Sequence, residues 1–315
     1  MPRARTAVAV AALAALAAFG LSACSSGGGG NGAAVSAGDP AACPGRVVDV
    51  VVSVGQWGDL VRKLGGACAT VTTIVSSAAV DPHDFDPGTA DLAAFSGAEL
   101  VVLNGADYDH WAQDAVATLD PKPMAVNAAE VAGVPAHGAD PHLWYAPDVV
   151  HRMSTAVTTA LTSLAGAKAS AYLSGQAASW AQDLVPYEDA VRRVSAVAAG
   201  HTFAATEPVF DRMAAALGLT DATPEGYRRA ASNGSDPAPG DLTAFEAALA
   251  DGSIDALVFN TQTSGTVPDQ LRAAAQRAGV PVVEVSESPP DATGSFVAWQ
   301  VDQLNALSDA LGGTP

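Results

Sequence analysis

The chain has 315 residues, 49% of them apolar, and 33 acidic against 15 basic side chains give it a formal net charge of −18 at pH 7. Such acidity argues against a nucleic-acid partner, whose phosphates need a basic face, and suits a protein that attracts cations. The length suffices for a sizeable core, in one large domain or two lobes.

At the N-terminus, Arg3 and Arg5 precede an apolar run from Ala7 that ends in small residues before Cys24, the layout of a secretory signal over residues 1–23. The run is shorter than the roughly 20 residues a membrane-spanning helix needs. Leu21-Ser22-Ala23-Cys24 matches the lipobox of bacterial lipoproteins. That match implies cleavage before Cys24, lipid on its sulfur and amino group, and a chain anchored extracytoplasmically on the outer face of the cell membrane. Residues 24–44, opening with SSGGGGNG, are too poor in apolar side chains to pack and predict a flexible tether. Of the three cysteines, Cys43 and Cys68 then form an even pair in an oxidising compartment. This points to a structural disulfide, with two buried thiols as the other reading.

Short β-rich runs then alternate with helical stretches. RVVDVVVSV (46–54), TVTTIV (70–75), ELVVLNG (99–105) and PMAVN (123–127) are strand-like. Between the first two, Trp57, Leu60, Val61 and Leu64 fall at helical spacing, and TADLAAFSGA opens on a Thr-x-Asp cap signal with Leu92 and Phe95 on one face. TFAAT (202–206), ALVFN (256–260) and PVVEV (281–285) repeat the pattern with helices beside them. The expected fold is therefore α/β, with two (β/α) lobes of mostly parallel strands over residues 45–147 and 201–315. Residues 148–200 carry almost no strand signal and predict a stiff helical connector, with one long helix from Ala167 to about Val197 bent by Pro186.

Ligands of parallel sheets collect at the carboxyl ends of strands. There the chain places His83 and His142 in the first lobe, and Glu207 and Glu287 in the second. The two histidines share the tripeptide Asp-Pro-His, 59 residues apart, in a chain with only six histidines. Pro82 and Pro141 fix the backbone, so each imidazole leaves its strand in a defined direction. Asp81, Asp84, Asp86 and Asp140 are candidates to accept a ring N–H and set the metal-binding tautomer. His151 reads as a helix residue, His110 as packed beside Trp111, His201 as the start of a strand and His137 as a surface-loop residue.

DPHDFDP, VVLNGADYDHW, DPHLWYAPDVV, TEPVFDRMAAALGL and VSESPPDATGSFVAWQVDQLNAL, in this order, resemble the successive motifs of the metal-binding lipoproteins of ABC transporters, solute-binding protein family 9 or cluster A-I. The resemblance runs from Val47 onward. It implies two lobes joined by a rigid backbone helix, with one divalent transition metal, Zn²⁺ or Mn²⁺, held in the cleft between them and passed to an ABC permease. Carried over residue by residue, the metal positions fall on His83, His142, Glu207 and Glu287. The fourth is an Asp in the best-known members, and Ser286, Asn260 or water could replace Glu287 in the sphere. Zinc members often carry a long His-rich loop before the second Asp-Pro-His, where this chain has only His137. That absence and the two carboxylates favour Mn²⁺ over Zn²⁺, although intrinsic affinity rises toward Zn²⁺. The expected protein is a monomeric binding protein and not an enzyme. A metallohydrolase would use the same donors with an open position, yet no HExxH, nucleophile elbow or phosphate loop occurs. A surface adhesin on the same fold is the other alternative.

Overall fold

The computed structural model describes Met1 and residues 33–78, 85–263, 265–290 and 294–313. The signal, Cys24, and the first Asp-Pro-His with its His83 lie outside the described residues. β1 (Ala34–Ser36), β2 (Val48–Val54), β3 (Ala69–Val75), β4 (Leu100–Leu103) and β5 (Met124–Asn127) form one sheet in the order β1-β3-β2-β4-β5. β2 to β5 are parallel, and β2, at the centre, exposes only Asp49. Burial on both faces is why its sequence is a near-continuous valine run and not an alternation.

β1 corrects the expectation of a flexible tether over residues 24–44. Ala34 to Ser36 pair antiparallel with Thr73 to Val71 at the sheet edge, and Cys43 is buried. An edge strand is held by backbone hydrogen bonds and leaves Val35 exposed, so it needs no apolar pattern that composition would reveal. Cys43 and Cys68 are disulfide-bonded, their Cα atoms 4.9 Å apart. The bridge ties the turn before β2 to the turn before β3.

Helices α1 (Gly58–Gly65), α2 (Thr89–Ala94), α3 (His110–Ala117) and α4 (Ala128–Ala132) cover this sheet. In α2 the cap is Asp91, whose carboxylate accepts from Gly88 N. Phe95 is buried, but Leu92 is 40% exposed, because the six-residue helix is too short for both to reach the core. His110 is exposed and it is Trp111 that packs, edge-on to Phe85 and Phe95.

The connector is α5 (Pro147–Ala165) followed by α6 (Ser170–Asp183) and α7 (Val185–Ala198), which together make the long helix bent at Pro186 that the sequence predicts. Pro186 lacks a backbone donor and bends the α6–α7 rod, but Leu184 N still reaches Trp180 O and Glu188 N reaches Leu184 O. The hydrogen-bond ladder thus continues past the bend.

In the second lobe β6 (Thr202–Ala205), β7 (Thr220–Asp221), β8 (Ala256–Asn260) and β9 (Val282–Val285) form an all-parallel sheet in the order β7-β6-β8-β9. α8 (Asp211–Leu217), α9 (Glu225–Ser232), α10 (Pro239–Ala250), α11 (Thr266–Ala278) and α12 (Phe296–Ala310) surround it. α6 packs on α1 and α5 of the first lobe, and α7 on α8 and α12 of the second. At the bend Phe296 meets the rings of Trp180, Tyr187 and Trp299, and its backbone N–H donates to Asp59 of α1. One buried apolar cluster runs from β2 through the bend to Leu307, so swinging the lobes wide would expose it. Phe296→Ala is expected to lower the unfolding free energy by roughly 3–5 kcal/mol in urea titration, the range for a truncated core aromatic. A loss below about 1 kcal/mol would show that the bend is not the shared core of the two lobes.

Candidate metal centre

The second Asp-Pro-His forms a tight turn after α4. Asp140 Oδ1 accepts from His142 N at 3.0 Å and faces His142 Nδ1 at 2.7 Å. A carboxylate can only accept, so Nδ1 carries the proton and Nε2 is presented to the cleft. Asp140 is held from the second lobe by Arg212, whose Nε lies 2.9 Å from Oδ2 and whose Nη2 donates to the Asp140 carbonyl. The buried turn Leu143–Tyr145 follows at once, with Trp144 edge-on to the imidazole at 5.4 Å, and clamps the ring. Asn104, following β4, donates from Nδ2 to the Pro141 carbonyl at 2.9 Å and fixes the turn from below.

Two carboxylates approach from the second lobe. Glu207 stands just past β6, ahead of a short 3-10 turn beginning at Pro208, and accepts from Thr263 Oγ1 and from Asn260 Nδ2 at 2.8 Å. Glu287, just past β9, is 1% exposed and accepts from Asn260 Nδ2 at 2.9 Å and from the Tyr108 hydroxyl at 2.8 Å. Its Oε2 lies 3.7 Å from His142 Nε2. His142, Glu207 and Glu287 each present a ligand atom within 4.8 Å of one another, which among the described residues no other three His, Cys, Asp or Glu side chains do.

Burial alone would lower the His142 pKa, but hydrogen bonds and charge from Asp140 and Glu287 outweigh it and push it up to about 10. Burial raises the Asp140 carboxyl too, yet its bond to His142 and the charges of His142 and Arg212 hold it below the usual range. Asp211, at the start of α8, is pushed up to about 7 by burial and then by the charges of Asp221 and Asp140. Tyr108, His142, Glu207, Asp211, Arg228 and Asp236 line a cleft of about 1040 Å³.

Of the four expected metal positions, three converge. His83 belongs to the residues that are not described. Asn260 was visible as a strand-end amide, and its two N–H groups reach both carboxylates. Tyr108 and Asn104 were missed. Both lie in NGADYDHW, part of a motif that carried the resemblance but gave neither residue a role, and the local signal there is the glycine that forces a turn directly after a strand. His137 is exposed and pairs with Asp107 at 2.7 Å, away from the trio.

Residues 50–310 match the family model described as zinc-uptake complex component A, periplasmic. A stretch of 103 residues is 27% identical to the manganese-binding lipoprotein MntA of Halalkalibacterium halodurans, covering 32% of this chain and 34% of that protein. The chain therefore aligns with about a third of that curated relative's length. Among solved structures, the periplasmic zinc-binding protein TroA of Treponema pallidum superposes with a TM-score of 0.72 at 19% identity, covering 84% of this chain and 99% of that one. The solute-binding protein FpvC of Pseudomonas aeruginosa, solved with Mn²⁺, gives 0.69 at 19% identity over 85% and 99%. These structural likenesses establish the two-lobed fold. Since the family match takes in nearly the whole folded chain, this protein belongs to the periplasmic zinc-uptake component A family of metal-binding solute-binding proteins.

Proposed function

We propose that this chain captures one divalent transition-metal ion, Mn²⁺ or Zn²⁺, between its lobes and delivers it to an ABC import permease. The ion is held by His142 Nε2, Glu207 and Glu287, with His83 as the fourth ligand. The observation that carries the reading is the convergence of one imidazole from the first lobe and two carboxylates from the second within 4.8 Å. Two acids this close, Glu287 buried and Glu207 half-buried, repel each other unless a cation sits between them. Oxygen-rich donors favour Mn²⁺ relative to an all-imidazole site, while Zn²⁺ keeps its intrinsic advantage. Cys24 carries the lipid that anchors the monomeric protein outside the cell membrane, close to the permease.

The test is metal analysis of the purified protein with competitive Mn²⁺ and Zn²⁺ titration. One ion per chain in the wild type and none in His142→Ala is expected. Stoichiometric binding that survives the mutation would remove His142 from the site and overturn the reading.

Binding requires a neutral imidazole, so the ion must displace a proton held with a pKa of about 10. The sequence alone suggests that affinity weakens only near pH 6.5 and below, the ordinary histidine range. The pairing with Asp140 and Glu287 moves that dependence upward. Apparent affinity should fall by up to tenfold per pH unit from pH 9 to pH 6, and calorimetry in buffers of different ionisation enthalpy should register about one proton released per ion at pH 7.5. No release at pH 7.5 would remove His142 as a protonated resting ligand. Without metal the same raised pKa stabilises the fold fully below pH 6.5, and that contribution is lost as pH rises through about 10.

A further inference from the structure

Tyr108 is outside the trio, yet the fold takes trouble to place it. Gly105, Ala106 and Asp107, immediately before it, all have positive φ, at 77°, 53° and 65°. Two consecutive non-glycine residues in the left-handed region are strained, and such strain persists only where the surroundings impose it. Here the buried Asp109 carboxylate imposes it, accepting from Asn104 N at 2.7 Å, Gly105 N at 2.8 Å and Ser53 Oγ at 2.5 Å. The turn delivers the Tyr108 ring, 3% exposed, against His142 and Trp144 with centroids 6.2 and 5.1 Å away.

The direction of the hydroxyl proton is also fixed. Gln56 Nε2 can only donate, and it donates to the Tyr108 oxygen at 2.9 Å. The phenol proton therefore goes to Glu287 Oε2, 2.8 Å away on the other lobe. Asn260 Nδ2 already occupies Oε1 at 2.9 Å. Each carboxylate oxygen of Glu287 thus holds at least one donor, and Oε2 is the one that faces His142 Nε2, at 3.7 Å.

We infer that Tyr108 is a positioning residue that makes Glu287 a one-oxygen ligand through Oε2, and thereby biases the site toward ions of low coordination number. This rests on the proposed reading of Glu287 as a metal ligand. A carboxylate pinned at both oxygens does not swing to chelate through both, as an ion with six or more oxygen ligands would exploit. Zn²⁺, content with four ligands, loses nothing. The bias opposes the oxygen-rich donor set and narrows the gap between the two ions.

Tyr108→Phe keeps the ring and removes only the hydroxyl. In competitive titration it should weaken Zn²⁺ binding by roughly 10- to 100-fold, the usual effect of removing a group that orients a ligand, and weaken Mn²⁺ binding less, so that the Mn²⁺ to Zn²⁺ affinity ratio rises. The visible bands of the Co²⁺-loaded variant should lose intensity as the coordination number rises, a change that a merely structural role would not produce. Gln56→Leu, which frees the hydroxyl to turn, should move the affinity ratio in the same direction, and thermal melts of both metal-free variants establish that they are folded. Wild-type affinities and an unchanged Co²⁺ spectrum in Tyr108→Phe would overturn the inference. If His142→Ala abolishes binding while Tyr108→Phe is silent, this inference alone fails. If His142→Ala also binds normally, the reading of the site itself is wrong.

Discussion

The structure of the cleft turns on one electrostatic constraint, two carboxylates of like charge brought within ligand distance, Glu287 buried and Glu207 half-buried. Glu207 and Glu287 come from different strands of the second sheet, and Asn260, at the end of the strand between them, gives one N–H to each. An amide satisfies acceptor lone pairs but cannot neutralise charge. Charge compensation comes from the facing lobe, where His142 sits 3.7 Å from Glu287 with its pKa pushed up to about 10. The raised pKa favours the charged imidazolium facing Glu287.

That arrangement makes the position of one lobe against the other part of the site's chemistry. Among the described residues, several contacts cross between the lobes close to the trio. Arg212 holds Asp140, Tyr108 donates to Glu287, and the Tyr145 hydroxyl donates to the Ser286 carbonyl at 2.7 Å. Each ends on one of the three side chains or on a residue next to one in sequence or by hydrogen bond. Behind them the bend of the α6–α7 rod shares its aromatic packing with α12, so the lobes behave as one packed body with a cleft. Small displacements at the cleft mouth are enough to part such contacts, since a hydrogen bond weakens steeply beyond about 3.2 Å.

How much of this the sequence disclosed follows from the range of each signal. The parallel strands were legible because β2, β4 and β8 are buried almost throughout and read as nearly continuous apolar runs. Glu207, Glu287 and His142 were legible because parallel sheets put chemistry at the strand ends, and Pro141 marks the exit of one of them. β1 was not, because a three-residue edge strand in a glycine-rich stretch is held by backbone bonds that leave no apolar pattern. Leu92 was misjudged because helical spacing says which residues share a face, and only tertiary packing says how far that face reaches the core. Tyr108 was invisible for a further reason. Its partner Glu287 is 179 residues away, and the positive φ values that aim it fall on Ala106 and Asp107, residues whose identity gives little notice of that conformation.

The resting charge balance bears directly on transport. In the proposed reading, a pKa of about 10 places His142 some three units above neutral pH, so displacing its proton opposes metal binding by roughly 4 kcal/mol at pH 7. A binding protein that must also let go gains from this opposition, because the proton that leaves on capture is available to return on release. Two acids this close, left with neither metal nor proton between them, would repel, whereas the exchange of an ion for an imidazolium keeps a positive charge facing Glu287 at both ends of the cycle. Asp140 is the group that sustains the exchange. Held ionised by its bond to His142 and then by Arg212 from the opposite lobe, it keeps Nδ1 protonated in both states, so that the proton which comes and goes is the one on Nε2. Tight capture and prompt delivery are then two sides of one titration, set by side chains that meet only because the two lobes share a core.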